Sequence, residues 1–243
     1  MRDDSNSNES RGPDQGAGEI DEGSLARRAD SPSQFSEDEA LAIVQRPDVS
    51  ADVLAQLARN PGALKSRKVV FALSAHAKTP RHLSIPLLRR MFTFDLMKVA
   101  LTPAVATDIK RAAEEQILLR LESLSAGEKI TLARRGPGRI AAALLAETDG
   151  RIACVALDNG RLTGAAVVAS LMTPGASQLL FILVSEHAKW SQRPEVQIAL
   201  LKSEKTPLEH AARFAANFSP EALRDILPET RKLALVDAAG KDG

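Results

Sequence analysis

Ala72-Leu73-Ser74-Ala75-His76-Ala77-Lys78-Thr79-Pro80 decides how this chain is read, because its frame returns as Ala199-Leu200-Leu201-Lys202-Ser203-Glu204-Lys205-Thr206-Pro207. In both stretches an Ala-Leu pair is followed, six residues after the Ala, by Lys-Thr-Pro. A weaker copy stands in the same register between them, with Ala156-Leu157 followed by Leu162-Thr163-Gly164. The frame has a physical reading: a helix ends, Thr caps the next one, and Pro occupies its first turn, where no N–H is needed. The Ala positions lie 84 and 43 residues apart, which fits two periods of 42 and one of 43; a copy near position 114 is not recognisable.

Working outward, the chain reads as short helices separated by Pro, Gly and Ser/Thr caps. Ser36-Glu37-Asp38-Glu39 is a capping box that opens a helix running to about Gln45. Ser50 starts a second, with Val53, Leu54, Leu57 and Ala58 on one face, and Asn60-Pro61-Gly62 ends it. A third, about 64–76, buries Val69, Val70 and Leu73. A longer one spans about 105–124, with Ile109, Ala113, Ile117, Leu121 and Leu124 as its stripe. Lys110 with Glu114, and Arg111 with Glu115, form i,i+4 pairs opposite that stripe. A second capping box, Ser125-Ala126-Gly127-Glu128, follows.

Composition agrees with helix. Of 243 residues, 44% are hydrophobic but only 3% aromatic, with one Trp and no Tyr, so Ala and Leu carry the core. The lone cysteine, Cys154, excludes an intramolecular disulfide and any multi-cysteine metal site; its apolar neighbours predict a small buried core residue. Leu162 to Ser185 holds no charged residue, but Thr173-Pro174-Gly175 cuts it, so two buried helices are expected rather than a membrane span. The polar N-terminus lacks the apolar core of a signal peptide, which predicts a cytoplasmic protein.

Charge is unevenly spread. The formal net charge of +1 combines −6 over residues 1–38 with +7 over the remainder. Residues 1–35 are predicted to be a disordered acidic tail, 36–235 a helical-repeat domain, and 236–243 a flexible C-terminus.

With 72–80, 199–207, 156–164 and Leu57-Ala58-Arg59-Asn60-Pro61 as the carrying residues, the chain resembles HEAT-like and leucine-rich-variant helical repeats, over about residues 37–230. The resemblance implies an all-α fold, an irregular α-solenoid of stacked helix pairs presenting an extended binding surface. Some leucine-rich-variant proteins carry an iron–sulfur segment, which a single cysteine rules out here. HEAT-like alkylpurine DNA glycosylases are similar in architecture, but their aromatic residues beside a carboxylate find no counterpart in this sequence.

Little in the sequence points to catalysis or metal binding. His76, His82, His187 and His210 show no metal-ligand spacing, and no nucleophile elbow, P-loop or dinucleotide fingerprint is present. Neither cofactor nor metal is expected. Charge is what rises above background: between Asp52 and Asp95 there is no acidic residue, while Arg59, Lys65, Arg67, Lys68, Lys78, Arg81, Arg89 and Arg90 all fall there. If equivalent turns line up, Lys65, Arg67, Lys68, Lys78, Arg81, Arg89 and Arg90 form a basic face. A second basic element, Arg134-Arg135-Gly136-Pro137-Gly138-Arg139, offers an anion-binding turn, and Arg139 sits in a helix first turn where the dipole disfavours a cation. Trp190 fits either an exposed anchor or a plug at a helix junction. The expectation is a non-catalytic interaction scaffold whose basic face takes an acidic protein partner or the chain's own N-terminal tail. Sequence-independent binding of nucleic-acid phosphates is the alternative.

Overall fold

Ser36 opens the first helix as its sequence predicts. Its hydroxyl accepts from Glu39 N–H at 3.2 Å, and the Glu39 carboxylate reaches back to Ser36 N–H at 3.1 Å. From there the computed structural model describes residues 36–227 and Lys232. The expected tail (1–35) and flexible C-terminus (236–243) lie outside the described residues.

Fourteen α-helices, and no strand, occur among the described residues. They are α1 (Glu37–Val44), α2 (Ala51–Arg59), α3 (Arg67–Ala75), α4 (Arg81–Arg90), α5 (Thr93–Leu101), α6 (Thr107–Leu118) and α7 (Ala126–Arg135). The second half holds α8 (Gly138–Leu144), α9 (Gly150–Leu157), α10 (Gly164–Met172), α11 (Gln178–Glu186), α12 (Pro194–Lys202), α13 (Leu208–Ala215) and α14 (Pro220–Ile226). Single 3₁₀ turns, Ala63–Lys65 and Leu121–Ser123, interrupt two of the connections. Ser50, Ser66, Ser125, Asp149, Thr163, Ser177 and Ser219 each cap the helix that follows them with a side-chain oxygen. The charge-free run 162–185 is divided between α10 and α11, and among the described residues no helix is long and apolar enough to cross a membrane.

Helices this short cannot bury an apolar face alone, and the packing is accordingly local. Sequential helices pair, as in α3–α4, α5–α6 and α7–α8, and alternate helices stack. On one side α2, α4, α6, α8, α10, α12 and α14 contact each other in succession. On the other, α1–α3–α5 and α7–α9–α11 form two shorter runs, with the step from α5 to α7 poorly packed. Between the two sides lies one continuous core of Leu, Val, Ile and Ala, including Leu54, Leu73, Leu88, Leu96, Ile117, Leu132, Leu144, Val184 and Leu200.

The spacing differs from the sequence reading. Alternate helices begin 24 to 33 residues apart, so one helix pair takes about 28 residues rather than 42. The Ala-Leu frames sit on α3, α9 and α12, six and then three helices apart. The 42-residue period of the sequence reading therefore corresponds to three helices rather than to one helix pair. The copy sought near 114 would fall inside α6, which at twelve residues is the longest of the described helices.

Candidate interaction surfaces

The turn after each Ala-Leu pair has a common construction. At helix ends, Asn60, His76, Asn159, His187 and Ser203 each accept, through a side-chain atom, the backbone N–H of the residue two positions on. Two of the lysines that follow then reach across to the preceding pair of helices. Lys78 Nζ donates to the carbonyls of Pro47 (3.2 Å) and Val49 (3.1 Å), and Lys205 Nζ donates to that of Ala176 (2.5 Å). Arg120 makes the same tie to Arg89 O and Met91 O, and Arg213 to Ser185 O. The threonines act differently from the expected caps. Thr206 is buried and donates to Leu200 O at 2.7 Å, closing the helix behind it, while Pro80 and Pro207 themselves hold the N-cap positions. Of the three frames only Thr163 caps forward.

The seven residues of the expected basic face fall at two opposite ends of the α3–α4 pair. Arg81 begins α4 and Arg89 and Arg90 end it, a separation of about 12 Å at 1.5 Å per residue. Lys78 joins Arg81 at the first end, and Lys65, Arg67 and Lys68 join Arg89 and Arg90 at the second. Lys78 is bound to carbonyls, as above, and Arg81 pairs with Asp108 at 2.6 Å. At the second end Lys68 pairs with Glu37 at 2.8 Å, a contact that, with the Ser66 hydroxyl, holds the Glu37 carboxyl below its usual range. Arg67 binds Asp95, a buried carboxylate that Lys98 also approaches at 3.6 Å. Lys65, Arg89 and Arg90 meet no carboxylate among the described residues, and all three are exposed.

That second end also carries Phe92, 64% exposed in the turn between α4 and α5. The Arg67 guanidinium stacks 4.7 Å above its ring. Next to this edge a cavity of about 520 Å³ has Leu41, Phe71 and Ala72 as an apolar floor and Arg67, Lys68, Asp95 and Lys98 as its rim.

In the arginine–glycine turn, Gly136, Gly138 and Arg139 each have a structural reason. Gly136 N–H bonds Leu132 O at 2.7 Å and leaves no room for a Cβ against that carbonyl; a Cβ on Gly138 would strike the Arg161 carbonyl. Asn159 reinforces the turn by donating to Ala133 O and Gly136 O. Arg139 lies 3.8 Å from Glu114 and 3.7 Å from Glu115, which accounts for a cation in a helix first turn. Burial raises the pKa of Glu114, against the pull of Arg139. Arg111 keeps its predicted partner Glu115 at 3.5 Å, whereas Lys110 donates to Pro103 O instead of pairing with Glu114. Arg134 and Arg135 are exposed at the end of α7.

Two single residues are clarified. Trp190 is the plug: it is 1% exposed, and its Nε1–H donates to Leu157 O at 2.8 Å. Cys154 is exposed rather than buried, because Ile152, Ala153, Ala156 and Leu157 take the inward face of α9 and leave position 154 outside. No cluster of three or more metal-ligating side chains exists among the described residues.

A further cavity, about 810 Å³, was not anticipated from sequence. It is a trough over α8 and α10, floored by Ala142, Ala143, Ala166 and Ala169 and closed at one end by the 173–177 turn. Arg139 and Arg161 stand together at its other end. Runs of alanine read as good helix formers, and nothing local distinguishes alanines that face a neighbour from alanines that leave a hollow.

No family model, no curated protein and no solved structure matches this chain.

Proposed function

We propose that the chain is a non-catalytic interaction scaffold, a HEAT-like α-solenoid that binds an acidic segment of a protein partner on its Lys65–Phe92 edge. The solenoid reading is supported by the next-but-one helix contacts and by side-chain ties from Lys78, Arg120 and Lys205 that join three turns to the equivalent turn one pair earlier. The observation that carries the binding reading is Phe92, a large aromatic side chain left in solvent beside Lys65, Arg67, Arg89 and Arg90. An apolar anchor with adjacent arginines is the composition of an interface centre, and unpaired cations around it select carboxylates. The chain's own acidic N-terminal residues compete for the same edge in this reading. Phosphate binding draws less support, since the cations expected to line one ridge divide between two ends and most are already bound to carboxylates or carbonyls.

The test is affinity capture from lysate, with and without nuclease treatment, using the full chain and an Arg89→Glu/Arg90→Glu/Phe92→Ala variant. Defined proteins retained by the first and lost by the second are the expected result. Identical capture by both, or captured material that disappears on nuclease treatment, overturns the reading.

A further inference from the structure

The trough over α8 and α10 lies away from that edge and has a polarity of its own. α8 and α10 run side by side in the same direction: Gly138 abuts the Arg161 carbonyl at their starts, and the Ser170 hydroxyl lies 3.5 Å from Ala142 O further along. Alanines with half-buried or exposed side chains form its floor over the nine residues of α10, about 13 Å of helix. Its polar lining consists of hydroxyls, including Thr163, Ser170 and Ser177, and of two arginines at the end where both helices begin. No carboxylate lines it; Arg139 is approached from α6 by Glu114 and Glu115 at 3.8 and 3.7 Å, while among the described residues Arg161 meets no carboxylate.

From this geometry we infer that the trough seats one short amphipathic helix of a partner protein, with the carboxylate-bearing C-terminal end of that helix at Arg139 and Arg161. Small side chains let a guest axis approach two host helices to the 8–10 Å of ordinary helix packing. The negative end of the guest's dipole, with acidic side chains in its last turn, meets the Arg161 guanidinium first, with Arg139 beside it shared with Glu114 and Glu115, so the guest runs antiparallel to α8 and α10. A guest of the opposite polarity brings its positive end to the arginines and is rejected. The inference rests on the scaffold reading but uses a different surface.

The probes are two fluorescein-labelled 12-residue helical peptides of identical Ala/Leu-rich composition, one with two glutamates in its last turn and one with them in its first. Each is titrated by anisotropy against the full chain, Arg139→Glu/Arg161→Glu, Ala169→Trp and Arg89→Glu/Arg90→Glu. The C-terminal-glutamate peptide is expected to bind about tenfold more tightly than its counterpart, equivalent to about 1.4 kcal/mol. Binding should be lost in the first two variants and unchanged in the third. Melting curves separate a filled trough from a misfolded variant, and a misfolded Ala169→Trp leaves the exposed-site charge reversal to decide. Equal affinity for both peptides, no binding of either, or indifference to the charge reversal overturns the inference. So does saturable binding of dodecanoate without peptide binding, which would make the trough an amphiphile site. The Lys65–Phe92 reading stands or falls separately on its own variant.

Discussion

At the level of single residues, the cations that stood out in the sequence are mostly structural. Lys78 and Lys205 lie at matching turns, and each reaches a carbonyl 29 residues earlier. Their identity was legible because the frame repeats; their role was not, because sequence gives no sign of where a long side chain comes to rest. His76 shows the turn chemistry most directly. Its Nδ1 accepts from Lys78 N–H at 3.1 Å, the service that Asn60 and Asn159 provide through a side-chain oxygen. Burial, followed by the nearby Lys78 charge, lowers its pKa from the ordinary 6.5. A histidine with a depressed folded pKa takes up a proton more readily when unfolded, so stability falls as pH drops through 6.5 toward the folded value. His76→Asn keeps the acceptor and removes the titration. The variant should match the wild type near pH 8 and become the more stable of the two between pH 6.5 and 5, read by chemical denaturation at each pH. Parallel curves would show that His76 does not carry this dependence.

At the level of elements, caps were the most readable feature. Both capping boxes formed as their Ser-x-x-Glu spacing predicts, because the two partners lie within one turn and need no tertiary context. Glycines were less readable, since their meaning depends on what approaches them from elsewhere in the chain. Gly127 and Gly138 make the contrast measurable. Gly127 lies exposed inside α7 with nothing near the position of its Cβ, whereas a Cβ on Gly138 meets the Arg161 backbone. Gly127→Ala should therefore stabilise by about 0.5–1 kcal/mol through helix propensity. Gly138→Ala should destabilise by about 1–3 kcal/mol, because a backbone carbonyl cannot move aside as a side chain would. Thermal or denaturant unfolding of both variants checks the pair, and equal effects would contradict the close approach. The same dependence on context hid Cys154 and the trough: one position along α9 decides whether a thiol faces inward, and periodicity alone did not fix that phase.

For the whole molecule, the all-helical class followed from composition and punctuation, while the two-helix spacing did not, since the recognisable frames lie on α3, α9 and α12, multiples of three helices apart. The uneven packing between the two sides was not legible either. The α4–α6–α8 succession is continuous, but α5 and α7 are separated by the longest step, 33 residues, which includes the 119–125 connection and its 3₁₀ turn. Leu119 in that connection is 78% exposed. Fewer buried contacts mean earlier local opening. Amides of 119–125 should exchange with deuterium at least about tenfold faster than those of α9, whose neighbours α7 and α11 pack on both sides. Uniform protection across 93–157 would show the step to be as tight as the others.

None of the side-chain ties described above spans more than 33 residues. Such packing has a low contact order: among the described residues no strand waits for a distant partner, and neighbouring helix pairs meet without closing a large loop. Folding can begin at any adjacent pair and spread to either end, so its rate should depend on the best local nucleus rather than on chain length. The turn that ties Lys205 to Ala176 would then assemble without any knowledge of the turn that ties Lys78 to Val49.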